Sequence, residues 1–156
     1  MGIAGIVGKL GSKVLQGASS GLRLGTKVLE GVKGDALAIR IIIEPTDAKS
    51  VGVVVRRSND GTRGMEVRYQ NTILIDGQEA MYSLKHGKKN DTVRKPFALK
   101  DGEPLELRIF IDKICFEAFV NDRVCYDGII HPCDHTGKSL ATPKGGDLGV
   151  ACFAEG

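Results

Sequence analysis

The stretch LELRIFIDKICFEAFVND, residues 105–122, decides the fold. Leu105, Leu107, Ile109 and Ile111 alternate with Glu106, Arg108, Phe110 and Asp112. Successive side chains of a strand point to opposite faces, so this pattern marks a strand with one apolar face on a core and one charged face outside. The alternation resumes in Phe116, Ala118 and Val120 against Cys115, Glu117 and Phe119. Asn121-Asp122 then predicts a two-residue hairpin turn into a strand over 123–127. In that register Val120 faces Arg123, Ala118 faces Cys125 and Glu117 faces Tyr126, which puts Cys115 and Cys125 on opposite faces of the hairpin.

The same signal recurs on both sides of this hairpin. Leu37, Ile39, Ile41 and Ile43 share one face of a strand over 35–44 that Pro45 ends. Val51 to Arg57 is short and β-branched and closes on Asn59-Asp60-Gly61. Met65, Val67 and Tyr69 alternate with Glu66, Arg68 and Gln70, and Thr72 to Ile75 forms a further run. Residues 78–96 are polar and Lys-rich and read as a long loop with one weak strand around Met81 to Leu84. Leu148, Val150 and Cys152 supply a last strand. Many short alternating strands separated by turn signals predict an all-β antiparallel β-sandwich.

With 156 residues the chain has enough length for one sizeable core. No apolar run approaches the roughly 18 residues of a transmembrane helix. Residues 1–33 carry five basic side chains (Lys9, Lys13, Arg23, Lys27 and Lys33) against Glu30, whereas the other 123 carry 17 basic and 18 acidic ones. The domain division is therefore a basic, Gly-rich leader over 1–33 and a nearly neutral sandwich over 34–156. A neutral body argues against a nucleic-acid partner, which demands a clustered basic face. In the leader, Ile3, Ile6, Val7, Leu10, Val14 and Leu15 have helical spacing, while Gly2, Gly5, Gly8 and Gly11 each weaken a helix by about 1 kcal/mol relative to Ala. The expectation is a short leader of helical spacing, loosely packed rather than laid on a membrane. It has no charged n-region, and Lys9 interrupts the apolar stretch, so it is not a secretory signal.

The sequence carries little that resembles catalysis. Thr136-Gly-Lys-Ser139 ends like a phosphate-binding loop, but Pro132 stands where that loop needs a glycine. His131, Cys133 and His135 would share one face of a strand as metal ligands, yet Pro132 breaks strand geometry and no fourth ligand follows, so no metal is assigned. No nucleophile elbow is present and no motif requires a cofactor. Four cysteines in a chain of this length do not form a disulfide framework and read as free thiols. The parity of the central hairpin instead gathers Arg108, Asp112 and Glu117 with Phe110, Phe119 and Tyr126 on the face away from the core. Carboxylates and a guanidinium can grip hydroxyls while rings cover the C–H face of a sugar, so this face is the candidate binding surface for a polyol.

The segment from Pro96 to Asp122 resembles the C-terminal β-sandwich of family 32 glycoside hydrolases, the levanases, inulinases and invertases. In that domain a strand like Leu107 to Asp112 runs into a second like Phe116 to Asn121. The likeness extends through 34–40, 53–58, 67–69 and 147–156. It implies a concanavalin- or laminin-G-like jelly roll related to carbohydrate-binding modules that grip fructan ends. The family's catalytic propeller has no counterpart in the chain, so the resemblance implies an accessory module, not an enzyme. It further implies a fructan such as levan as partner and an extracellular location. By its pattern Asp112 and Glu117 match the family's acidic positions and Arg56 or Arg57 its arginine-rich strand. With no tryptophan in the chain, sugar stacking would rest on tyrosines, among them Tyr69 and Tyr126.

Overall fold

The computed structural model describes the backbone of residues 3–10, 13–19, 25–44, 47–57, 59, 61, 64–70, 81–86, 92–113, 115–129 and 149–156. Side chains are described over 25–44, 47–57, 59, 61, 64–70, 96–113, 115–128 and 149–156. The described elements are all strands: β1 (Ile3–Leu10), β2 (Lys13–Ser19), β3 (Gly25–Lys33), β4 (Ala36–Ile43), β5 (Ser50–Arg57) and β6 (Met65–Gln70), followed by β7 (Met81–His86), β8 (Thr92–Pro96), β9 (Leu105–Asp112), β10 (Cys115–Val120), β11 (Val124–Ile129) and β12 (Gly149–Glu155). They form two six-stranded antiparallel sheets, ordered β11-β10-β9-β4-β1-β2 and β3-β12-β5-β6-β7-β8. The chain is a β-sandwich.

The core is built from the alternating faces expected of these strands. Ile41, Leu105, Leu107, Ile109, Phe116 and Val120 of one sheet meet Val53, Val55, Val67 and Val150 of the other, all fully buried. Strands β4 and β9 pair along their whole length, from Ala36 opposite Asp112 to Ile43 opposite Leu105. Each buried residue on one strand therefore stands beside a buried residue on its neighbour, which is the arrangement that specifies register most firmly.

Three expectations are corrected. First, the helical spacing at the N-terminus is realised as strands. β1 pairs along β4, Ile3 opposite Ile43 to Leu10 opposite Leu37, and β3 pairs with β12. The glycines of β1 withhold helix propensity, while an antiparallel neighbour satisfies backbone groups that a short helix leaves open at its ends. Second, the polar stretch 78–96 contains two strands, β7 and β8, paired from Met81 opposite Pro96 to Lys85 opposite Thr92. The run from Thr72 to Ile75 lies outside the described residues.

Third, the central hairpin is shifted by one residue from the predicted register. Asn121 and Asp122 do take the left-handed conformation of a tight turn, with φ of 47° and 53°, and the Arg123 N–H donates to the Val120 carbonyl at 3.0 Å. Beyond the turn, however, Val120 stands opposite Val124, Ala118 opposite Tyr126, and Glu117 opposite Asp127. The predicted register would have turned Arg123, Cys125 and Asp127 toward the core. A slip by one residue sends the whole set to solvent, so desolvation of the charges decides the pairing. Cys115 and Cys125 consequently lie on the same face, both exposed and unbridged.

Candidate functional site

The outer face of β9, β10 and β11 collects what the sequence reading put there, less one residue. Across the strands Phe110 stands opposite Glu117, which stands opposite Asp127. One row away Arg40 faces Arg108, Arg108 faces Phe119, and Phe119 faces Cys125. Phe110 is 42% exposed, and its ring meets that of Phe119 edge to face at 6.0 Å and 82°. The Arg108 guanidinium lies 5.7 Å from the centre of the Phe119 ring and pairs with the Asp122 carboxylate. Arg40 pairs with Glu106 at 2.7 Å, a hydrogen bond that holds the Glu106 carboxyl below its ordinary range. Asp112 and Glu117 are both exposed on this face. Among the described residues no ion pair involves Asp112, Glu117 or Asp127. The face thus presents an accessible aromatic ring beside acidic oxygens that are open to hydrogen-bond donors.

Tyr126 departs from this set. The shifted register puts it on the core face of β11, where its ring tilts against Phe116 at 6.2 Å and 53°. Its removal from the outer face is a direct consequence of the hairpin pairing. Asp127 takes the position opposite Glu117, and only the charge argument for the register could have identified it from sequence.

Tyr69 and the two arginines occupy other places. Tyr69 is on the core face of β6, 3% exposed, with its ring edge-on to Phe97 at 5.8 Å. Its hydroxyl accepts the Leu99 N–H at 3.3 Å. It lines a cavity of about 270 Å³ at the end of the sandwich, where the loop between β8 and β9 crosses from one sheet to the other. Arg56 sits at the far end of β5 in a bulge: Arg57 pairs with Gly149 and Val54 with Ala151, so β5 carries one residue more than β12. Its φ is 54° and its side chain is buried. There it lies near Asp35 and Lys113, which pair at 2.7 Å. That hydrogen bond lowers the Asp35 pKa and raises that of Lys113. Arg57 lies over Gly61, where an added Cβ would stand 2.4 Å from its guanidinium. The sequence candidates therefore divide among the outer face (Arg108, Asp112, Glu117), the cavity (Tyr69), the bulged end (Arg56, Arg57) and the core (Tyr126).

Among the described residues no group of His, Cys, Asp and Glu is placed to hold a metal ion. His131, Cys133 and His135, like Thr136 to Ser139, lie outside the described residues. On the opposite sheet, Arg68 pairs with Glu66 and Glu155 and lies 4.6 Å from the centre of the buried Phe153 ring. These partners hold the guanidinium pKa above its ordinary value, the hydrogen bond to Glu155 most of all. That network ties β12 to β6 and leaves its arginine engaged.

No relative is found among curated protein sequences. Among solved structures the chain is similar to exo-inulinase from Aspergillus awamori, with a TM-score of 0.61 and 12% identity, over 94% of this chain and 31% of that one. It thus spans about a third of the inulinase. It is also similar to CG-16, a homodimeric agglutinin from chicken liver, with a TM-score of 0.51 and 14% identity, over 85% of this chain and 97% of the agglutinin. At such identities these likenesses speak for the β-sandwich fold alone. The sequence model of one family matches residues 9–151, most of the chain, and so the chain belongs to the family described as glycosyl hydrolases family 32 C terminal.

Proposed function

We propose that the domain is a non-catalytic carbohydrate-binding module that recognises terminal fructose units of levan or a related fructan on the outer face of β9–β11. The observation that carries this reading is the row Phe110–Glu117–Asp127, in which an exposed ring adjoins two carboxylates. A ring covers the C–H face of a sugar, and carboxylates accept hydrogen bonds from neighbouring hydroxyls. Asp112 extends the acidic set, and Arg108 supplies donors next to Phe119. The acidic character of this face disfavours nucleic acid and anionic membrane surfaces, both of which need basic groups. Family membership supports the same reading, because the family is a companion domain of carbohydrate-active enzymes.

The site is shallow, so a single sugar unit is expected to bind with about −4 to −6 kcal/mol. Titration calorimetry or affinity electrophoresis against levan, inulin and a non-fructan glucan tests the reading. Binding to a fructan that Glu117→Ala weakens supports it, whereas no response to any fructan rejects it. The exposed Phe110 also favours a second reading, a sandwich whose outer face packs against a protein. Mass that rises with concentration in light scattering and falls back in Phe110→Ala would select that alternative.

A further inference from the structure

The cavity at the β8–β9 end of the sandwich is separate from the outer face, and its two halves differ in chemistry. Its floor is apolar and comes from both sheets: Ile43 and Leu105 from one, Val51 and the Tyr69 ring from the other, each at most 4% exposed. Its rim is polar and comes from the chain just after β4 and just before β9: Glu44, Lys100 and Asp101. An aliphatic ligand would use only the floor and leave the rim groups to water, and an ion would use only the rim. The matching shape is a small ring with one C–H face and a hydroxylated edge.

The loop that forms the rim is held in place by its own hydrogen bonds. The Lys100 N–H donates to a Glu103 carboxylate oxygen at 2.7 Å, and the Glu103 N–H returns a bond to the Lys100 carbonyl at 3.0 Å. Gly102 takes the turn's left-handed position with φ of 72°. The Asn121 amide and Arg123 donate to Glu103 at 2.8 and 2.7 Å, anchoring the rim to the β10–β11 turn. Arg123 also stacks on the Phe97 ring at 4.6 Å. Glu103 is thereby used up in holding the loop, while Asp101 and Glu44 are exposed carboxylates at the mouth. The Tyr69 hydroxyl accepts from Leu99 and keeps its own proton to donate. At about 270 Å³ the cavity falls just below the roughly 300–1,000 Å³ of drug-sized ligand sites, which suits one sugar ring and not a chain.

We propose that this cavity is a second saccharide site, taking a single hydroxylated ring end-on, its C–H face on Val51, Leu105 and the Tyr69 ring and its hydroxyls on Asp101, Glu44 and the Tyr69 hydroxyl. The inference rests on the saccharide reading above and makes the domain bivalent, with one shallow site on a sheet face and one half-open site at the sandwich end. Two sites on one rigid domain raise avidity for a branched or multi-ended polymer beyond either alone.

Methyl-labelled protein titrated with methyl β-D-fructofuranoside, up to roughly 50 mM, reads the two sites separately. The methyls of Ile43, Val51 and Leu105 report the cavity, and the Phe110 ring reports the outer face. The expected result is saturable shifts at the cavity methyls that persist in Phe110→Ala. Asp101→Ala, on an exposed turn, and Tyr69→Phe, which keeps the ring, should each weaken that response about threefold to tenfold. Shifts confined to Phe110 overturn the second site and leave the first reading standing. Cavity shifts with a silent Phe110 uphold the second site and overturn the outer-face reading. Cavity shifts that neither variant weakens overturn the assigned contacts, and silence at both sites overturns both.

Discussion

Replacing Phe110 by alanine separates binding from folding on this molecule. The ring is 42% exposed and touches the structure through its edge-to-face contact with Phe119. Such a pair contributes about 1 kcal/mol, so the melting temperature of a domain this size should fall by only about 2–4 °C. The effect on binding is worked from the surface the ring offers. A sugar face covering roughly 60 Å² of it, at about 25 cal/mol per Å², gains about 1.5 kcal/mol, a factor of about ten in affinity. Calorimetric titration of Phe110→Ala with levan, beside a thermal melt of the same sample, measures both quantities. Phe116→Ala is the internal contrast: that ring is 1% exposed in the core, and its removal should cost about 3–5 kcal/mol of stability. With the cavity weakened by Asp101→Ala in both proteins, a Phe110→Ala protein that binds levan within twofold of its parent would refute the assignment of the ring as a sugar platform. A melt lowered as far as that of Phe116→Ala would refute the claim that the ring is peripheral to the fold.

Gly52→Ala should destabilise by at least about 2 kcal/mol in a denaturant titration, because an added Cβ would stand 2.0 Å from the Val67 carbonyl oxygen and 2.9 Å from the Phe153 ring. Glu103 has its pKa lowered from the ordinary 4.5, chiefly by the Lys100 N–H and the Asn121 amide. A depressed carboxyl stabilises the fold above its unfolded pKa, and this stabilisation is lost as pH falls through the folded value. Glu103→Gln should therefore be less stable than the parent at neutral pH, with the two converging in acid. A gap that stays constant down to about pH 2 contradicts the linkage. Cys115 and Cys125 should alkylate readily in the native state, whereas Cys152, buried and with its pKa pushed up to about 12, should react only on unfolding. Peptide mapping after iodoacetamide labelling resolves these sites, and native labelling of Cys152 would contradict its burial.

The strands that build the core were legible because their signal is local. Leu105 to Ile111 and Leu37 to Ile43 alternate strictly, and each pattern names its own buried face without reference to any partner. The side chains of Arg108, Asp112 and Glu117 could be assigned to the outer face for the same reason. What failed was pairing. Asn121-Asp122 is a good turn signal, but the turn does not state whether Arg123 joins the strand. That depends on the cost of burying Arg123 and Asp127 against Ala118 and Val120. Tyr126 was misplaced with it. The N-terminal strands depend on pairing too: a Gly-rich apolar segment carries no firm period of its own, and β1 forms where the free edge of β4 offers hydrogen bonds.

The amino-acid sequence by itself determined the class of fold, the buried face of each principal strand and membership of the family, because alternation and motif are properties of neighbouring residues. Only the tertiary structure decided which residues meet. It set Asp127, not Tyr126, opposite Glu117, sent Arg56 to the bulged end of β5, and placed Tyr69 at the floor of a half-open cavity lined by both sheets and the loop between β8 and β9. Those outcomes follow from desolvation of charge and from contacts between residues distant in the chain, and neither is written in local spacing.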